Sequence, residues 1–338
     1  MSKNVHILFK NNDRSFFEWQ NGKDGIAKII LPTPYAVGDV NVYLIKGERL
    51  TLVDCGVKTK ESWIAFKAQL SQLHLSPDDI EQVIITHHHA DHVGMLDFLS
   101  DQVEVYGHPL NERWIKPTEA FFQEQEDFFR RQFVDFGIPP EYFSSLLHLR
   151  QTFRYSCNRS LTGELVEGMV PPGLSEWKVI ETPGHAQSQI ALFRERDGIL
   201  IGGDLILAHI SPNPLLEMPA PGEVERPKPQ LQHNHSMKKL LSYPIQFVYT
   251  GHGEEVFQLK ELIEKRLIHQ HERAMKVNNW LKEEKHTVFE LCKRLFPTAY
   301  KRELILTLSE TVGQLDYLAS IGEISSSEDH QPVLYKAR

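Results

Sequence analysis

The chain has 338 residues, of which 41% are hydrophobic and 24% are charged, and its formal net charge at pH 7 is −8. This composition is ordinary for a globular protein, and the length accommodates one large domain and a small one. The negative charge argues against a dedicated nucleic-acid binder, which presents a basic surface to phosphate. The cysteines, Cys55, Cys157 and Cys292, form no CxxC pair, so neither a disulfide framework nor a thiolate zinc site is predicted.

Targeting and membrane signals are not apparent in the sequence. The first residues contain no apolar core of signal-peptide length, and no run of about 18 apolar residues occurs elsewhere. We therefore expect a cytoplasmic protein without a membrane segment, whose cysteines are buried free thiols.

Apolar runs and turn residues alternate along the first part of the chain. Short apolar segments bounded by glycine and proline are typical of strands, and apolar residues three or four apart are typical of helices. The pattern predicts strands over 26–31, 40–45 and 50–53, a helix over 60–73, and strands over 83–85 and 103–106.

The segment 110–160 is unusually rich in aromatic residues. At helical spacing its main stripe is Phe122, Phe129, Phe133 and Phe136. Gly137 and the two prolines after Ile138 mark the end of this helix. A second helix is predicted over 142–149, so the segment is a candidate helical-hairpin insertion.

The second half of the chain returns to strands before it becomes helical. The pattern predicts strands over 177–180, 189–193 and 199–202, a short helix over 237–242, a strand over 247–249, and a charged helical region over 257–284. Six prolines between residues 211 and 230 predict a long loop, because proline is excluded from central strands and helix interiors.

The end of the chain has the pattern of a separate small unit. The pattern predicts an amphipathic helix over 288–296, an apolar run over 304–308, a further helix over 312–319, and two strands at 324 and 333–335. This order suggests a winged-helix-like module. We therefore expect a main domain over 1–265, which includes the insertion, and a winged-helix-like module over 266–338.

The chemistry of the sequence is concentrated in the metal loop, residues 86–94, which read Thr-His-His-His-Ala-Asp-His-Val-Gly. His87, His89, Asp91 and His92 fall within six residues, directly after a predicted strand. A straight strand would not direct all four side chains to one point, whereas a loop that leaves the strand end can do so. Imidazole and carboxylate together suit zinc, iron, manganese or cobalt.

Three more candidate ligands follow apolar strands and lie beside or near glycine, namely His185, Asp204 and His252. Glycine allows the tight turns and the close backbone approach that such a site requires. Five histidines and two aspartates can hold two ions with one bridging carboxylate. The sequence therefore predicts two divalent metal ions, with Zn²⁺ as the first choice and iron or manganese as alternatives.

This ligand series resembles the complete set of the metallo-β-lactamase superfamily, over roughly residues 25–265. The resemblance implies an α/β fold of four layers, an αββα sandwich in which helices cover two mixed sheets and the metal ions lie at one edge. By this resemblance, the first ion is held by His87, His89 and His185. The second ion is held by Asp91, His92 and His252.

Two further aspartates have roles that only the resemblance implies. Asp204 would bridge the two ions. Asp54, in Val53-Asp54-Cys55-Gly56, matches a family aspartate that lies behind the site and orients the metal loop.

Two adjacent ions can share a water molecule and lower its pKa, which makes hydroxide available as a nucleophile at neutral pH. A substrate carbonyl or phosphoryl oxygen would be polarised at the same centre. Asp91 and His92 are the candidate catalytic residues, with Asp91 as the group that takes up a proton during turnover.

The scaffold does not define the substrate. We favour hydrolysis of a small ester, thioester or lactone, because residues 86–92 are similar to those of glyoxalase II-type thioesterases. One alternative is a phosphodiesterase or endoribonuclease that uses the same two ions. Another is a redox protein with a single iron, similar to persulfide dioxygenases, which would not need Asp91, His92 and His252 as a second ligand set.

Three side chains are candidates for contact with a small-molecule substrate. Phe121 and Phe128, which lie off the main aromatic stripe, could close over the metal site as a lid, whereas the stripe itself could simply pack the hairpin onto the core. His209 follows Asp204 by five residues and precedes the proline-rich loop.

The C-terminal unit resembles the winged-helix tail of a β-lactamase-like subgroup that contains endoribonucleases, through residues 311–318 and Gly322-Glu323-Ile324. A helix that enters a nucleic-acid groove should carry arginine or lysine. This helix carries Glu310 and Asp316 and no basic residue. A packing role or a homodimer is therefore favoured over a nucleic-acid partner.

Overall fold

The computed structural model describes residues 25–327 and 330–338. The first residues, on which the expectation about a signal peptide rests, lie outside this range, as does part of the polar turn expected before residue 333. Among the described residues, the helices are too short or too polar to cross a membrane.

A six-stranded mixed sheet forms the first half of the main domain. In spatial order its strands are β1 (Ile26–Leu31), β2 (Val40–Lys46), β3 (Leu50–Val53), β4 (Gln82–Ile84), β5 (Glu104–Gly107) and β6 (Gly163–Glu164). The pairs β1–β2 and β2–β3 are antiparallel, and β3 to β6 pair in parallel. Parallel pairing requires crossover connections, which place helices over one face of this sheet.

A four-stranded sheet forms the second half. Its strands are β7 (Trp177–Glu181), β8 (Ile190–Arg194), β9 (Ile199–Ile201) and β10 (Phe247–Tyr249), in the spatial order β10-β9-β8-β7. β7, β8 and β9 pair antiparallel, whereas β10 is parallel to β9. A terminal hairpin consists of β11 (Ile324–Ser327) and β12 (Leu334–Ala337).

In the chain, the helices connect these strands or follow them. In chain order they are α1 (Lys60–Gln72), α2 (Ala90–Val93), α3 (Glu112–Ile115), α4 (Glu119–Asp135), α5 (Leu146–Thr152), α6 (Pro229–Leu240), α7 (Leu259–Glu283), α8 (Val288–Leu295) and α9 (Leu304–Ser320). Their starts follow the capping rules. Thr59 accepts a hydrogen bond from the Ser62 N–H at the start of α1, and Thr287 forms a capping box with Glu290 at α8.

Three apolar cores stack as layers. Side chains of both sheets, such as Tyr43, Ile84 and Leu192, meet in the middle core. On the outer faces, Phe66 of α1 packs in the core of the first sheet, and Met237 of α6 packs in that of the second. The αββα sandwich expected from the resemblance is confirmed by this arrangement.

A fourth core joins the helical insertion to the end of the chain. Phe129 and Phe133 of α4 pack in one cluster with Leu308 and Val312 of α9. A salt bridge holds the proline-rich segment against the same helix, because Arg226 donates to both carboxylate oxygens of Asp316, at 2.7 and 2.6 Å. The insertion and the C-terminal unit therefore share one hydrophobic core.

Several boundaries differ from the sequence expectation. α6 begins at Pro229 rather than near 237, because proline is compatible with the first turn of a helix, where the N–H has no intrahelical partner. α7 continues through the boundary expected at residue 265, and the segments 304–308 and 312–319 form the single helix α9. The helices of the expected winged-helix-like module share a core with the insertion. The module itself stays a prediction.

Leu308 and Leu306 on α9 provide a matched test of this shared core. Leu308 is 1% exposed within it, whereas Leu306 is 41% exposed. Leu308→Ala should lower the free energy of unfolding by about 2–5 kcal/mol, because it leaves a cavity. Leu306→Ala should change it by less than about 0.5 kcal/mol. Chemical denaturation measures both, and equal effects would show that α9 is not packed as described.

Candidate metal centre

Every candidate ligand follows the carboxyl end of a strand. Asp54 follows β3 and the metal loop follows β4, whereas His185, Asp204 and His252 follow β7, β9 and β10. β3 and β4 are parallel, and β7, β9 and β10 also share one direction. The carboxyl ends of these strands therefore bring residues from distant parts of the chain to one edge of the sandwich.

Helix α2 wraps the metal loop around one point. His89 is extended, with φ −64° and ψ 146°, and occupies the N-cap position of α2. The helical turn of residues 90–93 then reverses the chain, so that Asp91 and His92 face the same point as His87. A single helical turn thus accomplishes what a straight strand could not.

The side chains form three groups whose ligand atoms lie within 4.8 Å of one another: His87, His89 and His185; His87, His92 and Asp204; and Asp91, His92 and His252. The first and third groups match the two ligand sets that the resemblance implies. Asp204 lies between them. Its Oδ2 is 3.5 Å from His185 Nε2 and 3.4 Å from His252 Nε2, and its Oδ1 is 3.5 Å from His92 Nε2.

Buried atoms that point into this cluster lack hydrogen-bond partners among the described residues. They are the Nε2 atoms of His87, His92, His185 and His252, and Oδ1 of Asp204. The other ring nitrogen is engaged, because His185 Nδ1 lies 2.9 Å from the Asn213 carbonyl oxygen and His252 Nδ1 lies 2.8 Å from that of Asp39. Since a carbonyl only accepts, Nδ1 carries the proton of the neutral ring and Nε2 offers its lone pair.

The separations suit metal ligands better than hydrogen bonds. Asp91 Oδ2 lies 3.3 Å from His252 Nε2, and the three distances to Asp204 are 3.4–3.5 Å. Two ligand atoms about 2.0–2.1 Å from one ion at the tetrahedral angle are about 3.4 Å apart. These four separations therefore match those between two ligands of one ion.

The electrostatics of the cluster also call for positive charge. Asp91 and Asp204 are both buried. Burial lowers the pKa of His252, but Asp204 and Asp91 outweigh it and raise this pKa to about 10. Burial holds the pKa values of His87 and His89 well below their usual range. Divalent cations would supply the positive charge that balances these two carboxylates while the imidazoles stay neutral. The residues present therefore fit two such ions.

Gly251 leaves room for this cluster. A Cβ atom at this position would lie 2.0 Å from Asp204 Oδ1 and 3.0 Å from His92 Cε1. A side chain there would clash with Asp204 and crowd His92, so the close approach of these residues requires glycine at position 251.

Asp54 supports the metal loop from behind. It accepts hydrogen bonds from the Thr86 N–H and hydroxyl, at 2.7 and 2.8 Å, and its Oδ2 lies 2.8 Å from His92 Nδ1. Its own backbone has a φ of 57°, a conformation that non-glycine residues rarely adopt. These contacts orient His92 and the start of the loop, which is the role that the resemblance implies for Asp54.

Comparison with known proteins places this geometry in a family. The family model described as "Metallo-beta-lactamase superfamily" matches residues 35–252, a span that contains every candidate ligand. The chain belongs to this superfamily. Among curated proteins it is similar to "Probable metallo-hydrolase YqjP" of Bacillus subtilis (strain 168), with 44% identity over 313 residues, which cover 93% of this chain and 98% of the relative.

Two further similarities extend over much of this metallo-β-lactamase superfamily chain. "Beta-lactamase-like protein 2 homolog" of Caenorhabditis elegans is 24% identical over 265 residues, 77% of this chain and 72% of that protein. The crystal structure of metallo-beta-lactamase family protein TTHA1429 from Thermus thermophilus has a TM-score of 0.76 at 27% identity, and covers 93% of this chain and 99% of that one. The structural similarity therefore extends beyond residues 35–252.

Two of the three expected substrate contacts lie in a hydrophobic core, and the third lies at the surface. Phe121 and Phe128 are 5% and 4% exposed in the core shared with α9, where Phe121 stacks edge-on against Trp114. Both side chains are buried in this core, and their expected role as a lid stays a prediction. His209 is exposed at the surface, and its Nε2 lies 3.4 Å from Glu254.

A cavity beside the ligands is lined in part by residues that the sequence did not single out. Its wall contains His89 together with Trp114, Gln125, Glu217 and Ile305. Phe129, from the main stripe, lines this cavity, whereas its neighbour Phe128 does not. The sequence contained one indication of this cavity. Glu217 is a charged residue between Leu216 and Met218, and an acidic residue in an apolar run is unusual.

Helix α9 also braces the segment that orients His185. Asn213, whose carbonyl oxygen lies against His185 Nδ1, donates from its side-chain amide to the Leu306 carbonyl at 2.8 Å. The Leu216 N–H donates to the Ser309 hydroxyl at 3.0 Å. The C-terminal unit is therefore connected to a metal ligand through this segment.

Asp54→Asn tests the support of the metal loop. In asparagine a donating NH₂ group replaces one of the two accepting oxygens and the negative charge is lost, so the contacts to Thr86 and His92 cannot all be retained. The affinity for the second ion should therefore fall by about 10- to 100-fold, as for other groups that orient metal ligands. Titration of the metal-free protein with Zn²⁺ measures this change.

Asp39→Asn is the matched control for this measurement. Asp39 offers His252 only its backbone carbonyl oxygen, which the substitution retains, so the affinity should not change. An unchanged affinity in Asp54→Asn, or an equal loss in both variants, would contradict the role of Asp54.

Proposed function

We propose that this protein is a metal-dependent hydrolase that cleaves a small ester, thioester or lactone at a centre of two divalent ions. The proposal rests on the cluster of buried His and Asp atoms that lack hydrogen-bond partners among the described residues. These atoms lie close enough to one another to be ligands of shared metal ions. The similarity to a probable metallo-hydrolase over 93% of the chain supports the same reaction class.

The ligand sets define where each ion would lie. The first ion would be held by His87, His89 and His185. The second would be held by Asp91, His92 and His252, with Asp204 shared between them. Zn²⁺ suits these nitrogen and oxygen ligands, and iron or manganese is compatible with them. When bound, the ions supply Lewis-acid polarisation of the substrate oxygen and lower the pKa of water.

The protein side chains prepare this chemistry by orientation and proton handling. The carbonyl oxygens of Asn213 and Asp39, and the carboxylate of Asp54, hold three histidines in the tautomer that leaves Nε2 unprotonated. Asp91 is buried at the cluster, with its Oδ2 3.3 Å from His252 Nε2. Asp91 is positioned to take the proton that the attacking water releases.

The cavity beside His89 favours an acyl substrate over a phosphodiester. Its lining combines apolar and aromatic side chains with the carboxyl of Glu217, and contains no lysine or arginine. A phosphodiester would meet no cation there and would face a buried acid, whereas an acyl group would find apolar contacts. The negative net charge of the chain points the same way. The single-iron redox alternative gives no role to the complete second ligand set.

Parallel assays with a thioester, a lactone, bis-p-nitrophenyl phosphate and RNA distinguish these reactions. We expect turnover of a thioester or a lactone, lost after chelation and restored by Zn²⁺. Asp91→Asn should lower kcat by about 10²- to 10⁴-fold, the usual effect of removing an acid–base group. Asp101→Asn, at a side chain that is 96% exposed, should retain the activity.

The same assays can reject the proposal. Metal-dependent cleavage of RNA or of the diester without turnover of the acyl substrates would establish the nuclease alternative. Purification with one iron per chain and oxygen consumption with a persulfide substrate would establish the redox alternative.

A further inference from the structure

The cavity beside the metal ligands has the dimensions of a small acyl group. It encloses about 170 Å³, and His89, a ligand of the first ion, forms part of its wall. The aromatic rings of Trp114, Phe129 and Phe153 line it, and Ile305 of α9 closes it from the C-terminal unit. A group held here would therefore lie next to the reacting centre.

One acidic side chain interrupts this apolar wall. Glu217 is 4% exposed, and it accepts hydrogen bonds from the Gln187 N–H at 3.0 Å and from the Gln187 side-chain amide at 3.3 Å. His88 Nε2 lies 3.9 Å away, beyond hydrogen-bond distance, and Arg113 is engaged by Glu124 and the Pro219 carbonyl. Burial raises the pKa of Glu217 to about 8, and a cation bound beside it would favour the ionised form again. The cavity thus contains a carboxyl group with no cation bonded to it.

A second polar side chain faces the same space. Gln125 of α4 is 5% exposed and lines the cavity. Its side-chain amide can both donate and accept hydrogen bonds, so it can contact a polar group held in the cavity. Gln125 and Glu217 together offer several oxygen acceptors among aromatic rings.

A cationic ligand group matches this wall better than an anionic or purely apolar one. An ammonium group donates to carboxylate and amide oxygens, and it is attracted to the faces of aromatic rings. A carboxylate ligand would find no lysine or arginine in this wall, and an alkyl group would make no hydrogen bond to Gln125 or Glu217. Recognition of a charged group by a buried carboxylate is also a strong source of specificity.

We propose that this cavity selects a substrate whose compact acyl group carries an ammonium group, bound by Glu217 and Gln125. The inference rests on the proposed acyl hydrolysis and adds the substrate class. In the reaction, water adds its oxygen to the acyl carbon, the bond from carbon to sulfur or oxygen breaks, and the leaving thiol or alcohol takes a proton. The acid product retains its ammonium group.

Matched benzoyl thioesters test this specificity. The para substituents CH₂NH₃⁺, CH₂OH and CH₂CH₃ have similar size, and 4-carboxybenzoyl adds an anion. With the metal-loaded protein, kcat/KM should be about 10- to 100-fold higher for the ammonium compound than for the ethyl compound, as expected for a hydrogen bond to a charged group. The anionic compound should be the poorest substrate.

Glu217→Gln should remove the preference for the ammonium compound while turnover of the ethyl compound is retained. Glu223→Gln, at an exposed position in the same segment, is the matched control and should keep the preference. Gln125→Leu is a second variant, in case Glu217→Gln folds poorly, and should lower the preference several-fold. Equal rates for the ammonium and hydroxyl compounds, or a preference that survives in Glu217→Gln, would overturn the proposal.

Direct binding separates failure of this inference from failure of the proposed function. Calorimetric titration with benzylammonium and with benzyl alcohol needs no turnover. Stronger binding of benzylammonium to the unmodified protein than to Glu217→Gln would uphold the cation site even if the protein hydrolysed no thioester. Equal binding by both proteins would reject the site even if thioesters were hydrolysed.

Discussion

The site depends on a buried cluster of imidazoles and carboxylates whose inward-facing nitrogens and one oxygen lack hydrogen-bond partners among the described residues. Such groups are costly to remove from water unless a partner replaces the lost hydration. Their mutual distances and the tautomers imposed by backbone carbonyls suit cations, and divalent ions would offset this cost. The sandwich fold makes the cluster possible, because the carboxyl ends of strands from both sheets deliver residues from distant segments to one edge.

The fourth core gives the C-terminal unit a part in the site. Helix α9 contacts the Asn213–Leu216 segment that orients His185, and Ile305 closes the cavity beside His89. The same helix is buried against the aromatic insertion. Because one packed core joins these elements, the insertion and the C-terminal unit shape the cavity beside His89, while the sandwich supplies the candidate metal ligands. Under the proposed function, reaction class and substrate preference would therefore arise from different parts of the chain.

The metal ligands could be predicted from the sequence because they require particular residue types at particular spacings. Five histidines and two aspartates that follow apolar strands, four of them within six residues, form a pattern that few other structures would need. The strands and helices of the sandwich were predictable for a similar reason, since burial on one face leaves a period in the sequence. The start of α6 was misplaced, because Pro229 is compatible with a first helical turn even though proline usually indicates a loop.

Sequence alone determined the candidate ligand set, the family and most elements of the sandwich, since these depend on residue identity and local periodicity. Tertiary structure decided which aromatic side chains face the cavity and which face the core. Phe128 and Phe129 are adjacent and chemically identical, but only Phe129 lines the cavity. It also decided that Glu217, Gln125 and Trp114 meet beside His89. These contacts join segments far apart in the chain, and no local pattern encodes which surfaces pack together.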